Sequence, residues 1–84
     1  MISKLFVVRN LLSGLVDQSY IICNETVAAV ELCVPYSRRS PLDEWQLVLV
    51  GEINLETAQI VSVPHVVVPW DTRRLGSIPA PVAE

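Results

Sequence analysis

Residues 43 to 63, DEWQLVLVGEINLETAQIVSV, decide the fold. Trp45, Leu47 and Leu49 alternate with Gln46, Val48 and Val50, which is the two-residue period of an extended strand. Both sets are substantially apolar, as in a central strand covered on each side. Asn54 and the polar pair Glu56-Thr57 make a turn, and QIVSV, residues 59 to 63, returns as the partner strand. Pro64 interrupts it. The HVVV that follows suits a short edge segment, where proline is tolerated.

Working outward, KLFVV at 4 to 8 is β-branched and aromatic enough for a first strand. Ser13-Gly14 signals a turn, and SYIIC at 19 to 23 reads as a second strand, joined to the first by a loop longer than two residues. Asn24 is a favoured helix N-cap, because its side-chain oxygen takes an orphan backbone N–H. Glu25 suits the positive end of the helix dipole. The helix is predicted through TVAAVELCV, stopping before Pro35, with Val27, Val30 and Val34 as a stripe beside Leu32 that lies on the sheet. PYSRRSPLD, 35 to 43, reads as a polar loop. From Trp70 onward the pattern fades, so residues 70–84 are expected to be an extended or disordered tail. No internal repeat is apparent.

The expectation is therefore a single α+β domain over residues 1–69. It has a small, mostly antiparallel sheet of about four strands in β-β-α-β-β order, with one helix on a face. One helix cannot cover both faces of an apolar hairpin, which predicts docking or self-association. Val48, Val50, Val61 and Val63 are the candidate interface residues.

Composition agrees. The 84 residues are 51% hydrophobic and only 18% charged, with a mean hydropathy of +0.45. That is more apolar side chain than a core this small easily hides, and large exposed apolar patches rarely stay bare. No apolar stretch reaches the about 20 residues of a membrane span. The KLFVV run near the start is broken by Arg9 and Asn10 without a small-residue cleavage site, so a cytosolic protein is expected. Cys23 and Cys33 match neither a redox nor a zinc spacing and read as two buried free thiols.

Catalysis is not expected. His65 is the single histidine, so a triad or a His-rich metal site lacks partners. Flanked by Pro64 and Val66, it reads as a strand-edge residue. Asp43 and Glu44 are sequence neighbours, which rarely supply a carboxylate pair across a cleft. The three glycines are isolated, so no phosphate-cradling loop exists. No cofactor, metal or small-molecule substrate is implied.

Two clusters remain. Tyr36-Ser37-Arg38-Arg39 and Trp70-Asp71-Thr72-Arg73-Arg74 each place an aromatic shortly before an arginine pair. Single-stranded nucleic acid is bound by this combination: aromatic faces stack bases and guanidinium groups meet phosphate. Arg38, Arg39, Arg73 and Arg74 are thus candidates for phosphate or acidic-partner contacts, and Tyr36 and Trp70 for stacking. Against this stand nine acidic residues to six basic ones, a net charge of −3, because nucleic-acid binders usually carry a basic field.

With these elements placed, the sequence resembles the small non-structural protein of gokushovirus-type microviruses, the tiny single-stranded DNA phages. The matching features run in order over roughly the first 65 residues: KLFVVRN with its Ser13-Gly14 turn, Asn24 with Ala28, SPLDEWQL, then LVLVGE and ETAQI. Ala58 stands where the family usually has glycine. Ala29, Val30 and Leu32 occupy a helix that often carries an arginine and an aromatic, and Tyr20-Ile21-Ile22 replaces a proline-aromatic pair. The tail is not covered. The resemblance implies a non-enzymatic accessory protein for single-stranded DNA synthesis or its coupling to assembly, in the host cytoplasm, acting on itself or another phage protein. The alternatives are a minor capsid-associated or scaffolding protein of the virion and a single-stranded DNA-binding protein.

Overall fold

The computed structural model describes residues 1–77. Its elements are β1 (Ile2–Asn10), β2 (Val16–Ile22), α1 (Glu25–Glu31), α2 (Cys33–Arg39), a 3-10 turn at Leu42–Glu44, β3 (Trp45–Asn54), β4 (Ile60–Val68) and α3 (Arg73–Ser77). The strands form one antiparallel sheet in the order β2-β1-β3-β4. The two hairpins therefore lie side by side, inner strand to inner strand. The protein is an α+β fold with its helices packed on one side of a four-stranded sheet.

The core lies between that side and the helices. Phe6 and Val8 of β1, Trp45, Leu47 and Leu49 of β3, and Val68 of β4 meet Ala28, Ala29, Leu32 and Tyr36. The alternation expected for residues 45 to 49 is present, and then it breaks. Leu49 pairs with Phe6 but Gly51 pairs with Leu5, so Val50 is an extra residue on β3. Such a bulge reverses which side later residues face. Gly51 follows it because nothing larger fits: a Cβ there would stand 2.8 Å from the Val61 carbonyl oxygen.

Asn24 caps α1 as expected, its Oδ1 accepting from Val27 N at 2.9 Å. The single helix ending before Pro35 is corrected. α1 ends at Glu31, and α2 carries Pro35 in its first turn, where a missing N–H deprives the helix of little. The segment 35–43, expected as a loop, is thus mostly helical. The buried row is Ala28, Leu32 and Tyr36, spaced by four; of the expected stripe Val30 and Leu32 are buried. Val27 is exposed and Val34 half-buried. Small alanines let the helix backbone approach the sheet, and bulkier valines flank the contact.

Three further expectations change. Cys33 is buried but Cys23 is exposed. β4 runs through Pro64 as one nine-residue edge strand. Residues 70 to 77 are not an extended tail: Trp70 packs on the core and α3 begins at Arg73. The rest of the expected tail, 78–84, lies outside the described residues.

Candidate functional site

The bulge in β2 builds the most elaborate side-chain cluster. Gln18 pairs with Val8 and Val16 with Arg9, so Asp17 is the extra residue, and it meets α2. Its carboxylate accepts from Arg39 through Nη1 at 2.8 Å and Nη2 at 3.1 Å, a two-pronged pair. The Tyr36 hydroxyl also donates to it, at 2.9 Å. Because Tyr36 has one hydroxyl proton, the 2.7 Å contact between the Tyr20 and Tyr36 hydroxyls has Tyr20 as its donor. The resulting chain, Tyr20 to Tyr36 to Asp17 to Arg39, ties β2 to α2.

Aromatic packing surrounds it. Tyr36 meets Trp45 edge-on with ring centroids 4.8 Å apart. The Arg39 guanidinium stacks 4.7 Å from the Trp45 centroid and 5.3 Å from that of Tyr36, a favourable cation–π placement. Trp70 donates its indole N–H to the Trp45 carbonyl at 3.0 Å. The Trp45 indole N–H, itself buried, has no hydrogen-bond partner among the described residues.

The charges respond to this geometry. The hydrogen bonds from Arg39, then Tyr36, hold the Asp17 carboxyl below the usual carboxylate range. The same bond to Asp17 pushes Arg39 up. Burial first, then the hydrogen bonds to Tyr20 and Asp17, pushes the Tyr36 phenol up, which keeps it neutral. The cluster is a clamp.

The two aromatic–arginine clusters do come together: the Tyr36 and Trp70 rings lie 6.2 Å apart. The aromatic rings turn inward, however, while the arginines stay at the surface. Tyr36 is 2% exposed, so it has no face to offer a base. Trp70 is half-buried with its N–H spent. Arg73 pairs with Asp71 at 2.7 Å and Arg74 with Glu31 at 2.9 Å, which fastens α3 to α1. Arg38 is exposed on α2. With Lys4 on Glu25 and Arg39 on Asp17, four of the six basic residues sit in ion pairs within the fold.

The candidate interface valines are scattered by the bulge. Val48 lies on the side of the sheet away from the helices, paired with Val7 and Val67. Val50 is the bulged residue. Val61 pairs with Glu52, itself opposite Lys4, and Lys4 reaches Glu25 of α1, so Val61 lies on the helix side. Val63 packs half-buried against the core. The alternation of residues 45 to 49, carried on by one more step, hides this reversal. Gly51 was the available signal of a bulge.

Among the described residues no three His, Cys, Asp or Glu side chains gather as a metal would require, and no helix is long and apolar enough to cross a membrane. Comparison of the chain with protein-family models, curated proteins and solved structures returns no match.

Proposed function

We propose that this is a non-enzymatic accessory protein of a single-stranded DNA phage, supporting DNA synthesis or its coupling to assembly mainly through protein contacts. The phage setting rests on the order and spacing of KLFVVRN, SPLDEWQL, LVLVGE and ETAQI. The protein-contact mode rests on one structural observation: most of the cations are consumed inside the fold, while a whole apolar side of the sheet carries no helix. Phosphate binding at Arg39, Arg73 or Arg74 would compete with those ion pairs, which leaves Arg9 and Arg38 as the exposed cations outside them in a chain of net charge −3.

Sedimentation of the purified protein with and without single-stranded DNA at low salt tests the mode. The protein is expected to sediment unchanged. A shift abolished by Arg38→Ala would replace this reading with direct DNA binding. Deleting the gene tests the setting: phage DNA synthesis and yield are expected to fall, and no change would end the proposal. Stoichiometric amounts of the protein in purified virions would instead assign it to the particle.

A further inference from the structure

The side of the sheet away from the helices is nearly free of charge. Register places Val16, Ser19 and Ile21 of β2 there, with Ser3, Leu5, Val7 and Arg9 of β1. Gln46, Val48, Gly51 and Ile53 of β3 and Ile60, Ser62 and Val67 of β4 complete it. Arg9 is the one ionic group among them. Ile21, Ile60 and Val67 each leave half or more of their surface in solvent, whereas isolated domains seldom leave such a patch bare.

We infer that this face is covered by a second copy of the chain, two sheets meeting face to face in a symmetric dimer. Three observations select that occupant. The first is area. Four strands about 4.8 Å apart and about nine residues long, at about 3.3 Å per residue, present roughly 570 Å². Two protomers then bury about 1,100 Å², which clears the roughly 1,000 Å² expected of a specific interface. The second is shape. The face is made by sheet alone, and two such faces pack about 10 Å apart as in a β-sandwich. The third is charge. A lone arginine on an acidic chain attracts neither an anionic lipid surface nor a nucleic acid. A two-fold that runs the strands of the two copies in opposite directions also keeps the two Arg9 side chains apart.

Edge-to-edge pairing is blocked. β2 is bulged at Asp17, and β4 carries Pro64 within the register break between Ser62 and Val66; both are devices that spoil an edge for strand addition. The inference deepens the protein-contact mode and does not depend on the phage setting, so a dimer found in a protein with no effect on phage DNA synthesis would leave it intact.

The test compares two valines of one strand with matched exposure on opposite sides of the sheet: Val67 at 56% and Val61 at 53%. In sedimentation equilibrium the wild-type chain is expected at twice its 9.3 kDa mass. Val67→Lys places an unpaired charge inside the interface and is expected to raise the dimer dissociation constant at least about 100-fold. Val61→Lys should leave the dimer intact. Ile21→Lys, on the opposite edge of the same face, should repeat the effect of Val67→Lys, so a folding failure of one variant leaves the other to decide. Circular dichroism checks that each variant folds. A monomeric wild type at about 100 μM, a dimer that survives both Val67→Lys and Ile21→Lys, or a dimer broken equally by Val61→Lys would overturn the inference.

Discussion

Asn10 and Asn54 hold the two hairpin loops in the same way. Asn10 Oδ1 accepts from the backbone N–H groups of Leu12 and Ser13, and Asn54 Oδ1 from those of Glu56 and Thr57. Four residues on, Gly14 N and Ala58 N return to the Asn10 and Asn54 carbonyls at 2.8 and 2.7 Å. Ser13 and Thr57 then accept from the next backbone N–H with their hydroxyls. NLLSGL and NLETAQ are one loop written twice, and the inner strands they leave are neighbours in the sheet.

The equivalence isolates a strained position. Gly14 has φ +76° and Ala58 φ +64°, the left-handed region that costs a residue with a Cβ about 1–2 kcal/mol. Ala58→Gly is expected to stabilise the protein by about 0.5–1 kcal/mol, since glycine's extra unfolded-state freedom offsets part of the relief. Gly14→Ala should destabilise it by about 1 kcal/mol. Urea midpoints at constant m-value read both; a loss of stability in Ala58→Gly would contradict the shared loop.

Gly51 is under a different constraint. Its backbone is ordinary, but the Val61 carbonyl occupies the space a side chain needs. Gly51→Ala is expected to cost about 1–3 kcal/mol, because the backbone of β4 must yield. The loss should be localised: amide exchange across the β3–β4 pairing should quicken more than across β1–β2, and uniform loosening would point elsewhere.

What the sequence discloses follows from what it repeats. Alternation over 45 to 49, the Ser13-Gly14 and Asn54 turns and the Asn24 cap are local signals, and each is realised. The side to which a valine turns after residue 50 is not local. It depends on a bulge fixed by the approach of β4 to Gly51, which alternation cannot register. The fate of Tyr36 and Arg39 is non-local too: Tyr36 stands between Pro35 and Ser37 and Arg39 between Arg38 and Ser40, but their chemistry is set by Asp17, nineteen or more residues away. The loop repeat was visible as Asn-Leu-x-Ser/Thr-Gly/Ala, obscured because one copy carries alanine in glycine's place.

The cysteines differ in accessibility. Cys23 is exposed and Cys33 buried. Burial, and secondarily the charge of Asp71, pushes the Cys33 thiol up, which lowers its thiolate fraction. A thiol reagent at pH 8 is expected to label one cysteine rapidly in the folded protein and both in denaturant. Rapid labelling of two in the native state would mean that α2 opens readily from the sheet.

Asp17 should shape the acid limb of stability. Its folded carboxyl is depressed below the unfolded value by Arg39 and Tyr36, so the folded state holds the charged form more tightly than the unfolded chain does. The contribution is therefore complete above the unfolded carboxylate pKa, near about 3.9, and is lost as pH falls through the lower folded value. Asp17→Asn removes the depressed titration while keeping a side chain of the same size. Its deficit relative to wild type should be full at pH 7, shrink below about pH 4, and vanish once Asp17 is protonated in both states. Arg39→Ala should behave similarly, with an additional pH-independent loss of the stacking over Trp45. Denaturant midpoints from pH 7 to pH 2 measure this, and a deficit that stays constant through the acid range would show that the Asp17–Arg39 pair is not formed in solution.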